Sequence, residues 1–208
     1  MVFPVFAPPD RAGRHSVWRL VTLLFVMLMM AGCVDRNWET NDITDVMPDM
    51  AFQLVDENGR QVTAEDYIGK PTFMFFGFTH CPDVCPTTLA KLSAAIKQLD
   101  EEQRDDVRVL FVSVDPGRDT PQVMKQYTEA FGPQFIGLTG KRKQIDALTN
   151  RYRVTYEYGE KDEQGNYSVT HSSSVFAFNR QGEARFMASD FDSIESIVGD
   201  LEYLLKHG

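Results

Sequence analysis

The sequence predicts an α/β fold, and three observations carry that prediction. Two apolar runs of strand length, residues 72–78 and 108–114, have the composition of strands covered on both faces. Between them Leu89, Leu92, Ile96 and Leu99 recur at helical spacing, and helical stretches also follow the second run. Near the end, two short β-rich segments flank a turn and lead into an amphipathic helix.

The N-terminus reads differently from the rest. Arg11, Arg14 and Arg19 precede an almost uncharged run over residues 20–30, then Ala31-Gly32-Cys33. That is the order of a secretory leader: basic region, apolar region, small residues at the cut. The 15 residues from Leu20 through Val34 fall short of the ~20 that a spanning helix needs. Small residues before a cysteine resemble a bacterial lipobox, with Met30 where Leu is usual. Residues 1–32 are therefore read as a lipoprotein-type signal peptide, with Cys33 as the lipid-bearing first residue of the mature chain. An uncleaved signal anchor with an inert Cys33 is the alternative. Either reading expects a bacterial cell-membrane protein whose domain faces the periplasm or the cell exterior.

Residues 33–49 are polar, acidic and without apolar period, as expected of a membrane tether. The folded domain is expected over residues 50–208. The about 175 residues left after cleavage suit one domain with a sizeable core. The net charge is −9, and losing the leader's arginines makes it more negative. With no basic stripe, nucleic acid and anionic lipid are excluded as partners.

Along the domain, Phe52, Leu54 and Val62 about Asp56-Glu57-Asn58-Gly59 predict a small N-terminal hairpin, with Asn-Gly supplying the turn. Residues 72–78 form a buried strand, and the segment after Pro86 a helix. Residues 108–114 form a second buried strand closed by Asp115-Pro116. Thr120-Pro121 opens a helix to about Phe131. Residues 135–138 predict a strand and 142–152 a helix. Residues 153–158 and 167–170 flank a charged, glycine-bearing surface hairpin. Residues 174–178 and 184–188 make a hairpin about the turn at 179–182, and residues 194–205 a closing helix. The order is that of a thioredoxin-like layout with an N-terminal β-hairpin addition and a small hairpin insertion.

Chemistry concentrates at Cys81 and Cys85, in the run Gly77-Phe78-Thr79-His80-Cys81-Pro82-Asp83-Val84-Cys85-Pro86. They are the only thiols besides Cys33, and they lie where a central strand turns into a helix. On a helix their i, i+4 spacing would put both side chains on one face. A helix N-terminus presents unpaired amides and partial positive charge, which favours thiolate. Such a pair can close a disulfide or clamp a soft metal.

Three segments together resemble the Sco/SenC family, membrane-tethered copper-binding proteins of cytochrome c oxidase assembly. They are residues 76–86, the run Ser113-Val114-Asp115-Pro116-Gly117-Arg118-Asp119-Thr120-Pro121, and Val169-Thr170-His171-Ser172. The resemblance covers the chain from Met50 to its end. It implies that Cys81, Cys85 and His171 ligate copper and that the cysteines are also a redox-active dithiol.

The residues by themselves are compatible. Thiolates suit Cu(I), and one imidazole added to two sulfurs gives a low-coordinate site that also accommodates Cu(II). A structural zinc site would want a fourth donor. By position alone His171 is more often a surface or satisfied core histidine. In thioredoxin-like folds, however, the loop before the third core strand faces the cysteine helix. Thiol oxidoreductases place a cis-proline there, whereas here the last proline is Pro133 and the loop is Thr170-His171-Ser172. His80 is either a positive neighbour of the thiols, a partner-facing residue or simply exposed. Asp83 either attracts cationic metal or is a solvated helix start. Asp115 is a possible outer-shell or docking residue at the strand end, where α/β sheets bind ligands. Asp119 is read as the cap of the helix that Thr120-Pro121 begins.

The resemblance implies a copper chaperone and/or thiol-disulfide reductant for the dinuclear copper site of cytochrome c oxidase subunit II or another extracytoplasmic copper protein, a metallochaperone rather than a turnover enzyme. A general thiol-disulfide oxidoreductase or thiol peroxidase, and a copper or redox sensor, remain as alternatives.

Overall fold

The computed structural model describes residues 38–164 and 167–208; the readings on the leader and on Cys33 fall outside them. In chain order the strands are β1 (Asn41–Asp42), β2 (Gln53–Asp56), β3 (Gln61–Thr63), β4 (Thr72–Gly77), β5 (Arg108–Ser113), β6 (Phe135–Thr139), β7 (Tyr156–Tyr158), β8 (Val169–His171), β9 (Val175–Phe178) and β10 (Ala184–Ala188). The helices are α1 (Val84–Gln98), α2 (Glu101–Asp105), α3 (Pro121–Thr128), α4 (Arg142–Arg151) and α5 (Ile194–His207). No helix of the described residues is long and apolar enough to cross a membrane.

The main sheet runs β1-β10-β9-β4-β5-β6-β2-β3. Its centre, β4-β5-β6, is parallel, while β9, β10 and the β2–β3 hairpin join it antiparallel. Every residue of β4 is buried, as its unbroken apolar composition requires of a strand covered on both faces. Leu89, Leu92 and Ile96 of α1 are buried too, which makes the helical spacing of the sequence the spacing of the core. β7 and β8 form a separate two-stranded ribbon.

Two boundaries and one helix differ most from expectation. The fold starts before Met50, because β1 pairs with β10 and Ile43 is buried. Trp38 packs on Phe186 with ring centroids 5.1 Å apart. The amides of Glu39 and Thr40 each donate to the buried Asp200 carboxylate at 2.9 Å. A two-residue edge strand has no period to read, and the donors are backbone groups, so the segment looked like tether. Residues 38–49 belong to the domain.

Helix α3 ends at Thr128 rather than Phe131. The Gly132-Pro133 pair cannot continue a helix, and Gly132 has φ +138°. Helix α2 was not anticipated, since it buries no side chain. Its signal is instead a capping box, in which the Gln103 amide donates to Asp100 at 2.8 Å and the Asp100 amide to the Gln103 side chain at 3.3 Å.

Candidate metal centre

Sheet register decides which segments can meet. β9 runs antiparallel to β4 with Val175 opposite Phe75. The chain entering β9 therefore arrives at the edge where the chain leaving β4 turns into α1. The first arm carries His171, four residues before Val175; the second carries both cysteines.

The cysteines do not share a helix. Asp83 is the N-cap of α1, so Cys85 lies in its first turn and Cys81 in the turn before it. That turn is closed by the Cys81 amide donating to the Phe78 carbonyl at 3.2 Å. The sulfurs are brought together by the turn: the Cys85 amide donates to Cys81 Sγ at 3.4 Å. Both thiols are free, Cys85 buried and Cys81 half-buried.

His171 completes the group. Its Nε2 lies 3.1 Å from Cys85 Sγ, and its Nδ1 lies 2.9 Å from the Ser172 carbonyl oxygen. A carbonyl only accepts, so Nδ1 carries the proton and the Nε2 lone pair faces the sulfurs. That is the tautomer a metal requires. Burial lowers the pKa of His171, against the hydrogen bond to Ser172, which keeps the ring neutral and available. The rings of Phe75 and Phe78 meet the imidazole edge-on at 6.0 and 5.8 Å. One donor atom from each of Cys81, Cys85 and His171 lies within 4.8 Å of the others. Bonds of ~2.0–2.3 Å to nitrogen and sulfur let a single ion bridge donors this close after small rotamer changes.

The helix-terminus argument for an easily ionised thiol does not hold at Cys85. Burial pushes its pKa up, opposed by the backbone hydrogen bond with Phe78 and reinforced by the charge of Cys81. A soft metal must therefore displace a proton there.

The remaining sequence candidates sit as follows. His80 is exposed, with Nδ1 3.1 Å from Thr79 Oγ1, and does not belong to the donor group. Asp83 is an exposed helix start that accepts from Thr87 Oγ1 at 3.3 Å. Asp115 is buried and holds Arg118 in an ion pair, while its Oδ1 accepts from the Tyr167 hydroxyl at 2.8 Å. Arg118 in turn donates to the Tyr167 carbonyl at 3.1 Å and stacks over that ring at 3.8 Å. Tyr158 donates its hydroxyl to the Val114 carbonyl. Asp115 thus acts through the β7–β8 ribbon, fastening the strand that bears His171.

Asp119 does not cap α3; Thr120 does, its Oγ1 accepting from the Val123 amide. Asp119 is buried and accepts from Ser113 Oγ and Thr79 Oγ1, each at 2.6 Å, and from the Thr79 amide at 3.1 Å. It ties the end of β5 to the cysteine loop. Burial nonetheless holds its carboxyl above the ordinary range, against those hydrogen bonds.

Gly77 is a site residue whose role the sequence reading did not draw out. A Cβ there would stand 2.6 Å from Cys85 Sγ and 2.6 Å from Phe111 Cε2. The missing side chain is the space the sulfur occupies. The signal was a lone glycine inside an aromatic strand, which marks a close approach.

A profile of the SCO1/SenC family matches residues 43–206. The chain belongs to the SCO1/SenC family. It is 42% identical over 132 residues to the human "Protein SCO2 homolog, mitochondrial", a match spanning 63% of this chain and 50% of that protein. The chain thus aligns with about half the length of the curated human relatives. Among solved structures, Arabidopsis thaliana ScoI with copper bound superposes with TM-score 0.71 at 34% identity, covering 77% of this chain and 99% of that one. Bradyrhizobium japonicum ScoI with copper bound gives 0.68 at 36%, covering 76% and 99%. The thioredoxin-like fold of this SCO1/SenC domain is therefore shared, and copper is the metal bound by its structural relatives.

Proposed function

We propose that this SCO1/SenC protein is an extracytoplasmic copper chaperone that also acts as a thiol-disulfide reductant, serving the dinuclear copper site of cytochrome c oxidase subunit II. Cys81, Cys85 and His171 hold the copper as cargo. One observation carries the assignment: an imidazole with its proton committed to Ser172 offers its free nitrogen 3.1 Å from a buried sulfur. Two soft sulfurs and one nitrogen match Cu(I), and the low coordination number leaves room for an acceptor's ligand.

The same sulfurs support the reductant role. Cys81, the more accessible thiol, attacks a partner disulfide as thiolate and forms a mixed disulfide. Cys85 then closes an intramolecular disulfide and releases the second partner thiol. Two electrons pass to the partner, which ends as two thiols. Metal and disulfide exclude each other on one sulfur pair, which couples the two activities. Lipid on Cys33 would tether the domain to the bacterial membrane, facing the periplasm or cell exterior.

The test is Cu(I) titration of the reduced protein against a competing chelator. Wild type binds one ion tightly and His171→Ala weakens it by at least ~10–100-fold, the effect of even an outer-shell loss. Equal affinity of the two proteins would end the three-ligand assignment.

A further inference from the structure

We propose that Phe191, at the tip of the turn between β10 and α5, together with Val84, is the surface on which a copper-exchanging protein partner docks over the Cys81/Cys85/His171 group. The inference rests on the proposed copper-delivery function and names the contact that delivery uses.

Phe191 is 100% exposed, and Val84, the neighbour of Cys85, is 39% exposed. An aromatic ring wholly in water invites an explanation when the backbone beneath it is firmly built. Ser189 donates its amide and hydroxyl to Asp192 Oδ2 at 2.7 and 2.8 Å. From α1, Lys91 Nζ donates to the Asp190 and Asp192 carbonyls at 2.8 and 3.1 Å. These bonds fix the backbone of the turn that carries the ring.

The same lysine locates the turn relative to the metal group. Lys91 follows Val84 by seven residues, so the two lie on one face of α1, ~10 Å apart along its axis. An exposed branched side chain next to Cys85 and an exposed aromatic on the turn that Lys91 fastens thus lie along the same face of α1.

Charge selects the occupant. Asp83 and Asp190 are exposed beside the two apolar residues, on a chain of net charge −9. A second copy and an anionic bilayer are both repelled. The matching surface is a protein with an apolar recess bordered by lysine or arginine, since aromatic anchors dominate interface energetics and charge complementarity steers approach.

The experiment mixes copper-loaded full-length protein in detergent with the metal-free copper domain of oxidase subunit II, measuring association and copper transfer separately. Phe191→Ser is expected to lower both by at least ~10-fold, as loss of an interface anchor does, with Cu(I) affinity unchanged and Phe191→Trp restoring wild-type behaviour. Added salt weakens association. Association that ignores Phe191→Ser overturns the docking surface, and if copper still passes, the delivery function stands. Phe191-dependent association without transfer upholds the surface and overturns delivery. No association by wild type overturns the surface. So does Phe191-dependent binding to phosphatidylglycerol vesicles with association to the copper domain unaffected, which assigns the turn to a membrane.

Discussion

Replacing Gly77 with alanine tests whether the metal group depends on an absent side chain. The new Cβ would lie 2.6 Å from both Cys85 Sγ and Phe111 Cε2, where non-bonded contacts settle at ~3.5–4.0 Å, so about 1 Å must be found. Phe111 cannot supply it, because its buried ring is enclosed by Phe75 at 5.9 Å and Tyr127 at 5.3 Å. The β4 backbone is paired with β5 at Gly77 itself and with β9 up to Phe75, two residues before it. The sulfur, at the end of one rotatable bond, moves. Overpacking of this kind costs about 1–3 kcal/mol, a Tm fall of roughly 2–12 °C for a domain this size. Metal bonds tolerate only about ±0.2 Å, so Cu(I) affinity should fall by at least ~10–100-fold. Gly137→Ala is the control: its Cβ meets Met124 Cβ at 2.7 Å, away from the donors. Calorimetry should show both variants destabilised, and chelator competition should show only Gly77→Ala losing affinity. Wild-type affinity in Gly77→Ala, or equal loss in Gly137→Ala, refutes the reasoning.

Other outcomes follow from the same geometry. Because burial keeps the Cys85 proton on, Cu(I) binding must release it; apparent affinity should rise about tenfold per pH unit for that thiol between pH 6 and 8, and a flat profile in competition titrations contradicts this. Asp119, held above the ordinary carboxylate range by burial, releases its proton later in the folded chain than in the unfolded one. Its effect on stability is therefore most favourable below the ordinary value of 3.8 and worsens as pH climbs through the folded value. Urea unfolding at several pH values should show that decline in wild type and not in Asp119→Asn; parallel curves would reject it. Asp115→Ala strands the sheltered Arg118 guanidinium, costing about 3–5 kcal/mol, and it should loosen the His171 ribbon enough to weaken copper binding. Stability loss with full affinity would show that Asp115 does not act on the site.

The sheet core was readable because its signal is repeated along each element. The apolar run of residues 72–78 and the Leu89-Leu92-Ile96 spacing each state one environment several times, and both elements fall where expected. Cys81, Cys85 and His171 were readable as types, and the loop before β9 could be placed opposite them by topology. What escaped is single-contact information. The pairing of Glu39 and Thr40 with Asp200 joins residues some 160 positions apart, and no periodicity announces it. Asp119 looked like a cap because it precedes Thr120-Pro121, and only the folded chain shows Ser113 and Thr79 competing for it. The protonation of Cys85 went the other way from the helix-terminus expectation because desolvation depends on packing that spacing does not encode.

The imidazole and the sulfurs stand on independently supported pieces of backbone. β8 shares no ladder with the eight-stranded sheet; its fastenings to that body include the contacts of Tyr158 and Tyr167 with Val114, Asp115 and Arg118 of the segment after β5. Withdrawal of the nitrogen therefore breaks no rung of the main sheet and leaves the dithiol where it was. With copper bound as proposed, coordination would drop from three donors to two on release of contacts that include those of Tyr158 and Tyr167. Under the proposed carrier role, the imidazole would be a detachable third finger, and an incoming ligand would need only to replace it to begin the hand-over.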